Sequence, residues 1–450
     1  MFKKSLMALA LVGAAAAAQA GNVQVYGVVD AGVDYVKSNA KITSNLNNKD
    51  INIKINEHST KLASGKHSAN RFGIKGTEDI ADNLKAGFVL EGGFDLLNGD
   101  MADKGKLFNR QADLFIEGDF GHLAFGRVGT LTSANGTYGF FGNAADNFAG
   151  GWGEHIGAAK NAFVASGRID NAVTYVSPEV AGAKLYAQYS FNTEGAQQDK
   201  LHENERYAAI GASYKLNDLE LVAVFDKTFY KDHVYNGVKL NNIPSKISDK
   251  WSLNLGGSYD FEVSKVFVAY QHADHSFDFG KGSTKLFMNT LIHDATMKGL
   301  FGEERVNSMI DRAQGLKSDT FAIGADTPLA GGLLKTQFAM GKAKNHSTYN
   351  GGSYIKNLNG KATTLSLAAA YEYNLSKQTM LYVGGGYSYD KYKVDMDFKN
   401  PSSDVLSKFF SGLSKVKNPD TKVVGADFKP THNEVKYHNY EVMMGLVHKF

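Results

Sequence analysis

Asn22–Tyr35 reads NVQVYGVVDAGVDY. Val23, Val25, Gly27, Val29, Ala31, Val33 and Tyr35 fall on one side of a two-residue repeat, and Asn22, Gln24, Tyr26, Val28, Asp30, Gly32 and Asp34 on the other. A period of two sustained over this length is a strand with two unlike faces. Strands of a soluble β-sandwich average about five or six residues. A tilted strand needs roughly 9 to 11 to cross a bilayer. Length therefore favours a membrane strand.

The alternation recurs at Leu84, Ala86, Phe88 and Leu90, at Leu185, Ala187, Tyr189 and Phe191, and at Leu365, Leu367, Ala369, Tyr371 and Tyr373. Sixteen such stretches begin near residues 22, 69, 84, 107, 121, 169, 182, 205, 218, 249, 262, 317, 332, 361, 379 and 435. The links after even-numbered strands are tight turns such as DIADN, GDFG, SPEVAG and PLAGG, whereas the others are long and polar, as at 37–68, 130–167, 276–316 and 394–434. An even strand count with alternating short and long links predicts a 16-stranded antiparallel transmembrane β-barrel. Hydrocarbon leaves no backbone group unpaired, so the last strand must zip onto the first. Tyr440, Val442, Met444, Leu446 and Phe450 form one face of that closing strand, with Phe450 expected in the aromatic belt at the membrane interface.

Ahead of the first strand, residues 1–20 carry Lys3 and Lys4, an apolar run from Leu6 to Ala18 and the small-residue site Ala18-Gln19-Ala20, the pattern of a cleaved secretory signal. The expected mature chain, 21–450, retains 47 basic and 46 acidic residues, so no polyanion or nucleic-acid partner is implied. Cysteine is absent, which excludes a disulfide framework or a thiolate metal site. No cofactor is implied either.

Several of these stretches together resemble a known family: VQVYGVVDAGV, NRFGIKGTEDIADNLKAGFVLEGGF, NRQADLFIEGDFGHLAFGR and the terminal GLVHKF. They are similar to the general diffusion porins of β-proteobacteria, the neisserial and Comamonas-like Gram-negative porins. The resemblance implies an outer-membrane homotrimer, set in lipid and lipopolysaccharide, whose channels pass small solutes and ions. It implies a third long loop folded into the bore, here about Gly129–Gly167, and a terminal Phe450 recognised by the outer-membrane insertion machinery.

Charge and width at the constriction would then set conduction. Phe72 and Ile74 face lipid by parity, which turns Arg71 and Lys75 into the lumen, and Val173 and Tyr175 do the same for Arg168 and Asp170. The resemblance places basic wall groups at Arg71, Arg110 and Arg168, opposed by loop carboxylates for which Asp146 and Glu154 are the candidates. Arg110 shares parity with Ala112, Leu114 and Ile116, so a lumenal position needs an irregular strand start. Arg127 lies on the side of Leu123 and Phe125 and is left out. An excess of accessible positive charge predicts mild anion preference, against which stand the inward Asp30, Asp34, Glu91 and Asp95.

Helical spacing occurs in two long loops, at Val306, Met309, Ile310 and Ala313 and at Leu406, Phe409, Phe410, Leu413 and Val416. These suit short helices packed on neighbouring loops, or a lid over the mouth. Competing functions are a substrate-specific channel, a barrel enzyme and an adhesin. An enzyme would need a nucleophile with a base in reach. None of the thirteen histidines falls in an HExxH pattern, and His272 and His275 take opposite faces of a strand. The triplet Gly384-Gly385-Gly386 lies within a strand, which is no place for a phosphate cradle.

Overall fold

The computed structural model describes residues 22–46, 49–157, 163, 167–230, 249–276, 316–345, 355–398 and 431–450. The first nine strands are β1 (Gln24–Leu46), β2 (Lys49–Ser64), β3 (Arg71–Ala81), β4 (Leu84–Gly93), β5 (Gln111–Gly118), β6 (Gly121–Gly129), β7 (Arg168–Val176), β8 (Ala183–Ser190) and β9 (Arg206–Leu216). There follow β10 (Leu219–Phe229), β11 (Lys250–Asp260), β12 (Lys265–Ser276), β13 (Leu316–Leu329), β14 (Gly332–Asn345), β15 (Ile355–Asn374), β16 (Thr379–Phe398) and β17 (Thr431–Lys449). One short helix, α1 (Phe140–Ala145), follows β6.

All neighbours pair antiparallel, and β17 returns to β1 from Val28↔Lys449 to Asn45↔His432, which closes the sheet. Gln24–Val28 of β1 pair with β3 while Ala31–Leu46 pair with β2, so β2 and β3 are successive pieces of one stave. The barrel therefore has the sixteen staves expected from the sequence.

Its two faces are inverted relative to a soluble protein. Along β11, Ser252, Asn254 and Ser258 are buried, whereas Leu255 is 42% exposed and Tyr259 is exposed beside it. The apolar face can stand outward only against lipid, where backbone pairing around a closed sheet leaves no orphan groups. Tight turns close the other end of the strands. Asn83 and Asn217 adopt φ of 60° and 50° after β3 and β9, a left-handed conformation that asparagine tolerates because its short amide bonds locally.

The first long loop expected from the sequence, 37–68, is largely strand, and the last, 394–434, is strand at both of its described ends. In 37–68, β1 runs to Leu46 and β2 fills Lys49–Ser64; in 394–434, β16 reaches Phe398 and β17 starts at Thr431. Above the membrane both faces meet water, so stretches such as KSNAKITSNL lose the apolar alternation that reveals a strand, while the backbone ladder continues. Residues 1–20, 277–315 and 399–430, with the signal sequence and both helical spacings, lie outside the described residues.

At the seam, Phe450 N–H donates to the Gly27 carbonyl at 3.1 Å and Gly27 N–H to the Phe450 carbonyl at 3.0 Å. The Phe450 ring covers Gly27 so closely that a Cβ there would lie 2.2 Å from the ring. Gly27→Leu should therefore expel the ring, costing about 1–3 kcal/mol in overpacking. Its readout is a lower temperature for conversion of the folded to the unfolded gel band, and unchanged heat-modifiability would refute it.

Candidate functional site

Beyond Gly129 the chain packs along the polar, buried face of the wall. Leu131, Tyr138 and Phe141 join Val128, Ile169 and Val224 in one apolar cluster, and Phe148, Trp152 and Ile156 join Val28, Tyr382 and Met443 in another. The wall makes room along this path. A Cβ at Gly384 would lie 2.6 Å from the Trp152 ring, and one at Gly386 would lie 2.2 Å from the His155 carbonyl, so the glycine triplet is a berth for the segment.

Polar tethers fix its course. Tyr138 donates to Asp113 at 2.8 Å, and the Asn147 amide donates to Asp326 at 2.7 Å. The Gln337 amide on β14 donates to Asp146 at 2.6 Å. At the tip, both the Glu154 and His155 N–H groups donate to one carboxylate oxygen of Glu441 on β17, each at 2.6 Å. Such charge-assisted bonds are the stronger kind.

Glu91 is the hub of the basic wall. Arg110 Nε approaches it at 2.7 Å, Arg71 Nε at 3.6 Å, and the Tyr26 hydroxyl donates to it at 3.0 Å. The parity difficulty at Arg110 resolves because β5 begins one residue later, at Gln111, so alternation does not govern it. Arg168 Nε donates to the Arg110 carbonyl at 2.8 Å, and the Lys75 ammonium lies 5.4 Å from the centre of the Tyr26 ring.

The parity argument for the sixth stave fails at its upper end. Asn171 takes φ of 50° and the β6–β7 register shifts between Gly126 and Val128, so Ile169 and not Asp170 joins the inner apolar cluster. Asp170 instead binds Arg127 and Lys106. The two loop carboxylates do not meet the arginines. Asp146 is engaged by Gln337 and by the Phe148 N–H, and Glu154 lies 3.2 Å from Lys66 Nζ.

Lys66 belongs to a six-residue insertion between β2 and β3 that the sequence reading treated as outer loop. Asp30 pins it by accepting the His67 and Ser68 N–H groups, each at 2.8 Å, while the His67 ring stands 4.4 Å from Trp152 and 4.8 Å from Tyr382. Lys66 also lies 3.3 Å from Asp34. Burial disfavours its ammonium, but Glu154 and Asp34 outweigh that and hold its pKa above the ordinary lysine value. Burial likewise opposes the Glu154 carboxylate, yet the charge and hydrogen bond of Lys66 hold it below the ordinary glutamate range. The pair is therefore charged on both sides of neutral pH.

A profile described as Gram-negative porin matches residues 5–393. The chain is 31% identical over 397 residues to an outer membrane porin protein of Bordetella pertussis, covering 86% of this chain and 94% of that one. The chain belongs to the Gram-negative porin family. Outer membrane porin protein 32 of Delftia acidovorans is 28% identical over 386 residues, covering 84% of this porin and 88% of its own length. Among solved structures, the anion-selective porin from Comamonas acidovorans shares the fold, with a TM-score of 0.52 and 22% identity over 96% of this chain and all of that one. The porin is an outer-membrane protein of a Gram-negative cell, and its barrel is a water-filled path for passive diffusion of small hydrophilic solutes and ions. Lys66, His67 and Glu441 escaped the sequence reading. Glu441 had one available signal, its place opposite Tyr440 and Val442 on the closing strand.

Proposed function

We propose that the segment 129–167 forms the constriction of this porin, and that the channel passes small hydrophilic solutes and ions with a mild preference for anions as a homotrimer. The carrying observation is the gathering of Arg71 and Arg110 on a single carboxylate, Glu91, with Arg168 against Arg110. By contrast, Asp30, Asp34 and Glu441 are fully buried, and their carboxylates are spent on N–H groups, a tyrosine hydroxyl or Lys66. Fully buried and partnered charge acts weakly on a passing ion, while the Arg71 and Arg110 side chains keep 27% and 15% of their surface exposed. Asp146 and Glu154 contribute to the loop side of the constriction through Gln337 and Lys66. The terminal Phe450, seated on Gly27, is the proposed assembly signal.

Planar-bilayer recording tests this reading. Conductance steps in groups of three and an anion-favouring reversal potential in a KCl gradient are expected. Replacing Arg71 and Arg110 together with glutamine should move the reversal potential toward cations. A cation-favouring wild type would overturn the anion preference, and independent single steps would overturn the trimer.

A further inference from the structure

A cavity of about 290 Å³ lies between the insertion that carries Lys66, the loop residues Thr132–Asn135 and Gly150–Gly151, and Asn254 and Gln271 on the far wall. Among its described lining residues, Lys66 and Asp146 are the charged ones; Glu154 stands outside the lining and reaches it through its 3.2 Å contact with Lys66, and Arg71 reaches it through its bond to the Ala69 carbonyl. We propose that ion selectivity in this porin is decided by Lys66 in competition with Glu154, and only secondarily by the arginine cluster on Glu91.

The two partners of Lys66 differ in kind. Asp34 has no exposed side-chain surface and is a fixed counter-charge, whereas the Glu154 side chain is 64% exposed. A passing anion can take the place of Glu154 at the ammonium, and a passing cation can take the place of Lys66 at the carboxylate. Both charges are held on rigid backbone, Lys66 by the Asp30 contacts to the next two residues and Glu154 by Glu441. Asp146 is unsuited to this role, since it is buried and accepts from Gln337 and Phe148. A charge at a narrow point between low-dielectric walls acts on every ion that passes.

This inference rests on the reading of 129–167 as the constriction. The test is the reversal potential in a KCl gradient for wild type, Lys66→Met, Glu154→Gln, Glu154→Lys and Arg71→Gln, each first shown to be folded by heat-modifiable migration. Lys66→Met should lower the anion-to-cation permeability ratio about two- to fivefold and Glu154→Gln should raise it by a similar factor, the scale of one unit charge at close range in water. Glu154→Lys should raise it further, and as a change at an exposed side chain it keeps the test alive if Lys66→Met does not fold. Arg71→Gln should move the ratio less than either. A ratio that follows Arg71→Gln and ignores Lys66 and Glu154 would overturn the assignment, as would shifts of the same sign from Lys66→Met and Glu154→Gln. A cation-favouring wild type with opposite shifts from those two variants would sink the anion preference and leave this assignment standing.

Discussion

Glu441→Ala should conduct more than the wild type and with far noisier open levels. The carboxylate receives the N–H groups of Glu154 and His155 at 2.6 Å each, and hydrogen bonds to a charged acceptor contribute roughly 1.5–3 kcal/mol apiece. Losing both would lower the free energy of releasing the loop tip by about 3–6 kcal/mol if water replaced neither, and by about half that with lumenal water in their place. Even the smaller figure raises the released population by more than tenfold. Release stops at Asn147 and Asp146, which are tied separately to Asp326 and Gln337. The expected product is a wider, fluctuating bore in an intact barrel. Glu441→Gln keeps one amide oxygen as acceptor without the charge, so its conductance should fall between the two. Quiet, wild-type channels from Glu441→Ala would show that the apolar seat of Trp152 and Ile156 suffices to hold the tip.

The barrel was legible because membrane strands obey two rules at once, an alternating face and a paired backbone, and both leave marks in sequence. Where a tight turn bounded the pattern, the strand start was read to the residue, as at Leu84, Gly121, Gly332 and Thr379. Outside the membrane the first rule lapses, and β2 went unread because residues such as Lys54, Asn56 and His58 need no apolar neighbour to pair with β1. The site was legible only in part. Arg71 starts the regular strand β3, so parity could point it inward, whereas Arg110 lies just ahead of β5 and only the resemblance pointed to it. Parity failed at Arg168 and Asp170, where one left-handed residue, Asn171, resets the alternation. Partners across the bore obey no local rule. Glu154 meets Lys66 from 88 positions away, and Glu441 meets the loop from still farther, so neither pairing has a periodicity to betray it.

Leu255→Arg and Asn254→Leu should both destabilise the barrel severely, although one is a polar gain and the other an apolar gain at adjacent positions. Leu255 stands on the outer face of β11, midway between Trp251 and Tyr259, the spacing of a residue at mid-membrane between two aromatic belts. An arginine there costs about 2–4 kcal/mol near the bilayer midplane. Leu255→Ala should cost little by comparison, since lipid chains fill the space that a protein core would leave empty. Asn254 is fully buried on the other face, where it accepts from the Gln271 amide at 2.6 Å and donates to Ser252 at 2.9 Å. Leucine would remove the acceptor that Asn254 offers the buried Gln271 amide, at roughly 1–3 kcal/mol for the lost bond. Urea unfolding of the refolded protein in lipid vesicles measures all three variants. The diagnostic result is the reversal of the soluble rule within two residues. If Leu255→Arg were tolerated and Leu255→Ala were not, the apolar face would be packed on protein, and the β11 side of the wall would belong to a subunit interface.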